Sequence, residues 1–291
     1  MTLPNALIGG APKCGTTSLA AALAGHPDIF IPYRKELSFF NADSNYERGL
    51  DWYGRFFREG SEKPIRLEAT PDYLASEESC RRIWGDLPSC RLIFLVRDPV
   101  ARAHSHYWFR VRSGRESRAF VEALRDEQRS PDDPDCYLIR HGQYAEQLRR
   151  YFDAFQREKI LVVRFSELTR RPQASLQHVH EFLGVPPMIT TLPNSNPASE
   201  VRSELLQHAV RRVTSDRGPI TQALRAVVPS KIRYRLRQEL KRLNARPVTK
   251  PPLAPEAQEI LVGVYLPELG RLETLLGVQL DEWRAAWATN T

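Results

Sequence analysis

Short, unbroken apolar runs alternate with longer stretches of helical spacing along the first two thirds of the chain. NALIGG (5–10), PIRLEAT (64–70), CRLIFLVRD (90–98) and KILVVRFSEL (159–168) are apolar runs bounded by turn residues. Runs of that length and composition predict buried strands. Between them, apolar residues recur every three or four positions, which predicts helices over 17–25, 76–84, 100–112, 117–128, 142–157 and 173–183. This alternation predicts an α/β fold, a mostly parallel central sheet flanked by helices. Ligands of such sheets sit beyond the carboxyl ends of the strands. Lys13, Ala69 to Asp72, Arg97 and Ser166 fall there.

The last third reads differently. Residues 201–246 are rich in arginine, with Leu, Val and Ile at helical spacing, and RPVTKPPLAPEA (246–257) is a proline-rich break. The segment 256–283 predicts a helix, an interruption at Pro267 and a terminal piece. This helical C-terminal region could be a lid or cap, above all over 205–255, or a set of helices covering the core.

Composition narrows the classes. A chain of 291 residues buries a large core, as one α/β domain or two smaller ones. No run approaches the roughly 18 apolar residues that span a bilayer. MTLPNALIGG lacks the basic and apolar regions of a signal peptide, so the expected location is cytoplasmic. Cys14, Cys80, Cys90 and Cys136 form no C-x-x-C pair, so neither a zinc site nor a redox motif is expected. The net charge of +7 admits anionic partners. Only seven of the 42 basic residues are lysines, and they are scattered without a nucleic-acid-binding motif, so no nucleic acid partner is expected.

The most informative stretch is LIGGAPKCGTTSLAAAL, Leu7 to Leu23. A strand–loop–helix crossing presents backbone N–H groups and a helix dipole to an anion. Gly15 lets the backbone approach that anion, and Lys13 supplies a point charge. Thr16, Thr17 and Ser18 can cap the helix and donate to phosphate oxygens. Cys14 is either a reactive thiol or, more simply, a small residue that fits the turn. The nucleoside-triphosphate loop has its lysine directly after the last glycine, whereas Lys13 lies two residues before Gly15. No carboxylate suited to magnesium ends a strand, for Asp98 is flanked by Arg97 and Pro99. An arginine at a strand tip suits a second phosphate, and Ser105 follows two helical turns later.

PKCGTTSL followed by RDPVARAHSHYW resembles the two nucleotide-binding signatures of the sulfotransferases that use 3′-phosphoadenosine 5′-phosphosulfate (PAPS). GHPDIFIPYRKELSFF (25–40), LEATPDYL, GQYAEQLRRYFDAF (142–155), RRPQASLQHVHEFLGV and RLETLLGVQLDEW extend the likeness, closest to the bacterial and heparan sulfate-type enzymes, N-deacetylase/N-sulfotransferase-like and 3-O-sulfotransferase-like. It spans nearly the whole chain and is weakest over 205–250. The resemblance implies a P-loop-like sulfotransferase domain over 1–291 and use of PAPS without metal, giving adenosine 3′,5′-bisphosphate as product.

It also implies roles. Lys13, Cys14, Gly15, Thr16, Thr17 and Ser18 would hold the 5′-phosphosulfate, and Arg97 with Ser105 the 3′-phosphate. Asn196, Ser199 and Arg202 in PNSNPASEVRSELL are candidates for a last nucleotide contact, or form a polar turn. Lys13 would neutralise charge on the leaving oxygen. Glu36 stands where the heparan-type enzymes place their proposed base, with His104 and His106 as rivals and His26 read as a turn residue. One departure is Ala69, where heparan-type enzymes often carry lysine. Its neutrality favours a small-molecule, lipid or sugar acceptor over an anionic polysaccharide. A nucleotide kinase or NTPase, and a non-catalytic nucleotide-binding protein, are the competing classes.

Overall fold

The computed structural model describes residues 1–130, 133, 137–193 and 251–288, together with the backbone of 199–201 and 245–247. Five strands form one sheet: β1 (Ala6–Gly10), β2 (Ile29–Phe30), β3 (Ile65–Ala69), β4 (Arg91–Val96) and β5 (Ile160–Arg164). Their order is β2-β3-β1-β4-β5, and every pairing is parallel. Every residue of β1 and all but the first of β4 are buried, which is why both read as unbroken apolar runs. β1 lies centrally, and the chain builds on one side of it through β3 before crossing to β4 on the other. Such a reversal opens a crevice at the strand ends.

Eleven α-helices are described. These are α1 (Thr16–Leu23), α2 (Asp43–Tyr46), α3 (Gly49–Gly54), α4 (Glu77–Asp86), α5 (Pro99–Arg112), α6 (Phe120–Arg129), α7 (Tyr144–Ala154), α8 (Phe165–Arg170), α9 (Pro172–Leu183), α10 (Pro255–Leu276) and α11 (Asp281–Ala288). α1 packs on β1 and β3, α8 and α9 on β5, and α7 against α4 and α10.

Chain contacts divide the molecule into two units. The larger holds Met1–Trp108, Ser117–Ser195 and Pro252–Thr291, and with them the sheet. The smaller holds Phe109–Glu116 and Asn196–Pro251. Within the smaller, β6 (Ser199–Val201) and β7 (Ala245–Pro247) pair antiparallel.

Two expectations are corrected. The segment 159–168 is not one strand, because β5 ends at Arg164 and α8 begins at once with Phe165. Glu167 follows Arg164 at helical spacing, and the two side chains pair across that first turn. Pro267 does not break the C-terminal helix, which runs unbroken from Pro255 to Leu276. Ala257, Leu261, Tyr265, Leu269 and Leu272 form one buried stripe along it, and the Tyr265 hydroxyl donates to Leu138 O and Ile139 O at 3.1 and 2.9 Å. That packing outweighs the backbone hydrogen bond proline forfeits.

Candidate active site

The site starts where β1 runs out. Its register against β4 shifts between Ile8 and Gly10, so the strand bulges into the loop. Lys13 and Gly15 both have positive φ, 70° and 95°, with Cys14 between them. Alternating handedness of this kind curls successive amides toward one concave side, where an anion fits. The N-cap of α1 is Gly15, without a side-chain cap, which corrects the expectation that Thr16, Thr17 or Ser18 caps the helix. These three occupy its first turn instead. Leu19 N–H to Gly15 O, 3.0 Å, opens the helical ladder, so the amides before it lie ahead of the intrahelical bonds.

Gly15 has a second reason to be glycine. A Cβ built there would stand 3.0 Å from Cδ2 of Phe165, so the loop rests directly on that ring. Cys14 is wholly buried, its Sγ 3.5 Å from the Tyr144 hydroxyl and its amide bonded to Ala11 O. Burial pushes the thiol pKa up, which fits the simpler reading of Cys14 as a small residue that suits the turn. Cys80 and Cys90 are likewise free and buried, and Cys136 lies outside the described residues.

Arg97 emerges from the neighbouring strand. Its Nη1 donates to Lys13 O at 3.3 Å, and its guanidinium stacks 4.7 Å from the centre of the Phe165 ring. The two anion-binding candidates, Lys13 and Arg97, are therefore joined directly. Asp98 is occupied structurally. Its Oδ1 caps α5 by accepting Val100 N–H at 2.9 Å and also accepts the Trp287 indole N–H at 2.9 Å. Burial raises the pKa of its carboxyl. Ser105 lies two turns along α5 and is largely buried. Asn196 and Arg202 lie outside the described residues, and Ser199 is described only as the first residue of β6.

Glu36 meets the loop through Lys35, whose Nζ donates to Thr17 Oγ1 and to Glu36 Oε1, each at 2.9 Å. The backbone just after Glu36 is held from below. Glu68, wholly buried on β3, accepts Leu37 N–H at 3.2 Å, the Tyr53 hydroxyl at 2.5 Å, the Tyr73 hydroxyl at 3.0 Å and the Thr70 hydroxyl. Thr70 in turn accepts Ser38 N–H at 3.2 Å, and Tyr73 accepts Phe39 N–H at 3.0 Å. Side chains of Glu68, Thr70 and Tyr73 thus bind three successive amides, 37 to 39. Phe39 adds a ring stacked on Tyr53 at 4.2 Å. Desolvation raises the Glu68 pKa, opposed by the hydroxyls that bond to it, and burial lifts those of Tyr53 and Tyr73 well above the ordinary phenol.

The histidines are engaged elsewhere. His104 Nε2 accepts the Trp108 indole N–H at 2.8 Å. His106 is buried with Nδ1 3.2 Å from Arg102 Nη1. His26 Nδ1 accepts Asp28 N–H at 3.1 Å, leaving Nε2 to donate to Pro186 O at 2.9 Å, the turn role expected of it. Ala69 is fully buried and brings no charge.

Phe165 is the residue that motif reading misses, and Glu68, though it lies in the LEATPDYL match, is one to which that reading gives no role. The spacing of Arg164, Glu167 and Leu168 marks a helix start and would have put Phe165 at a strand tip. Two partners of Glu68, Thr70 and Tyr73, belong to that same LEATPDYL match, whereas Tyr53 and Leu37 lie 15 and 31 residues before it.

Strand ends carrying a glycine-turned loop and a neighbouring arginine define an α/β protein with its site at the switch point of a parallel sheet. The chain belongs to the sulfotransferase family: the Sulfotransferase domain model matches residues 3–217. It is 32% identical over 194 residues to heparan sulfate glucosamine 3-O-sulfotransferase 5 of Mus musculus, covering 65% of this chain and 55% of that one. It is 31% identical over 202 residues to bifunctional heparan sulfate N-deacetylase/N-sulfotransferase 4 of Mus musculus, covering 64% of this chain and 23% of that one. The chain thus spans about half, or less, of these relatives' lengths. A sulfotransferase from Alicyclobacillus acidocaldarius superposes with a TM-score of 0.71 at 28% identity, covering 98% of this chain and 100% of that one. Among the described residues no helix is long and apolar enough to cross a membrane.

Proposed function

We propose that this chain is an enzyme that moves a sulfuryl group from PAPS to an acceptor hydroxyl, rather than an amine, by in-line attack and without a metal. The observation that carries the reading is the direct bond between Lys13 and Arg97, which makes one site of the loop after β1 and the arginine after β4. Lys13 and the first-turn amides and hydroxyls of α1, Thr16 to Ser18, would hold the 5′-phosphosulfate in this P-loop-like loop, with Cys14 and Gly15 shaping its turn. Arg97 and Ser105 would hold the 3′-phosphate; Asn196 and Arg202, the remaining candidates for nucleotide contact, lie outside the described residues. Sulfuryl transfer depends on positioning and on stabilising charge at the leaving oxygen, as phosphoryl transfer does. Lys13 supplies that charge. Glu36, 53% exposed in its side chain and held by the bonded segment behind it, would take the acceptor's proton.

The acceptor we favour is a small molecule, lipid or uncharged sugar. The heparan sulfate relatives support a glycan, while the neutral Ala69 argues against a strongly anionic one. We read residues 1–291 as one sulfotransferase domain and its location as cytoplasmic.

Calorimetry tests the reading. Adenosine 3′,5′-bisphosphate should bind without Mg²⁺, while ATP binds poorly. Tight binding of Mg·ATP with no response to the bisphosphate would instead favour a kinase or NTPase. Incubation with labelled PAPS and a panel of hydroxyl compounds then identifies the acceptor.

A further inference from the structure

Lys35 has no part in the reading above beyond contacting Glu36. Its position is more specific than that. The ammonium donates on one side to Thr17 Oγ1, in the first turn of α1, and on the other to Glu36 Oε1, both at 2.9 Å. Its side chain is 18% exposed, against 53% for Glu36, so the ammonium lies inward of the carboxylate and within the site. An ammonium has three N–H donors. Two are used, and the third has no partner among the described residues.

In-line transfer puts three atoms in a row: the leaving phosphate oxygen, the sulfur and the acceptor oxygen. The loop and the first turn of α1, with Thr17, hold the first, and Glu36 stands beside the last. A cation that touches both stands beside the middle one, where the sulfuryl oxygens pass. We propose that Lys35 is a catalytic residue whose free N–H binds a sulfuryl oxygen of the donor and holds it through transfer. This rests on the reading that the loop holds PAPS and that Glu36 is the base. The acceptor oxygen's lone pair forms the new O–S bond while the O–S bond to the 5′-phosphate breaks. That electron pair stays on the phosphate oxygen. The acceptor proton goes to the Glu36 carboxylate, and Lys35 keeps its own protons throughout. Lys13 and Lys35 thereby divide the work: Lys13 answers charge on the leaving oxygen, Lys35 charge on the group in transit.

The donor and its product differ by the sulfuryl group alone, so binding isolates the proposed contact without an acceptor. Calorimetry with PAPS and with adenosine 3′,5′-bisphosphate is run on the full chain, on Lys35→Met and on Lys35→Gln. Losing one hydrogen bond from a charged donor should weaken PAPS about tenfold or more, with the bisphosphate held within about twofold. Equal weakening of both nucleotides, or of neither, in whichever variant folds would overturn the proposal. If the unaltered chain binds neither nucleotide, the reading beneath it fails first and takes this proposal with it. An unaltered chain that binds both, with variants showing no difference between them, sinks Lys35 alone.

Discussion

The Glu68 carboxylate accepts the Leu37 amide at 3.2 Å, so a wholly buried acid on β3 fixes the residue directly after Glu36. Glu68→Ala leaves that amide and three hydroxyls without their acceptor, and should cost about 3 kcal/mol in urea unfolding. Glu68→Gln keeps one acceptor oxygen and should cost about half as much. The pH dependence has a definite sign. Desolvation raises the folded pKa of Glu68, so above the ordinary carboxylate range the unfolded chain holds fewer protons than the folded one. The contribution of Glu68 is therefore fully present below the unfolded pKa and is lost as pH rises through the folded value. Unfolding of the native chain and of Glu68→Gln across that range should show this slope in the first and not in the second. A parallel pair of curves would contradict it.

Lys13→Ala removes the charge that answers the leaving oxygen. Turnover should fall by about 10²–10³, the scale seen when one preorganised donor is lost from a transition state. A folded variant with near-normal turnover would remove Lys13 from the chemistry.

Glu36→Gln should lower transfer to a hydroxyl by about 10²–10⁴, while the affinity for adenosine 3′,5′-bisphosphate stays unchanged. The split matters, because a variant that loses nucleotide affinity has disturbed Lys35 and Thr17 instead. If the rate is kept, the acceptor's own acidity or His106 becomes the source of proton transfer.

Arg97→Ala should separate nucleotides by their 3′-phosphate. Adenosine 3′,5′-bisphosphate should weaken about tenfold or more, and adenosine 5′-monophosphate should hardly change. Equal losses for both would show that Arg97 serves the loop, through Lys13 O and the Phe165 ring, rather than the ligand.

What the chain makes readable is local. The strand tips, the glycine-turned loop and the arginine after β4 each follow from a few adjacent residues, because strand burial and helix starts are set over short spans. The contacts behind them are not local. Gly15 against Phe165, Cys14 against Tyr144 and Leu37 against Glu68 join residues 31 to 150 positions apart, and no periodicity encodes such pairs. Pro267 fails the opposite way: its local rule is sound, yet the buried stripe of α10 overrides it.

The indole of Trp287 reaches the turn after β4 and bonds to Asp98, 189 residues earlier. The matched family region ends at residue 217. A chain cut there would keep both nucleotide signatures but leave the buried Asp98 carboxyl without its one side-chain donor among the described residues. During synthesis the arginine-bearing turn is complete only after the last helix has emerged from the ribosome and docked, so binding competence should arise late rather than with the motifs that encode it.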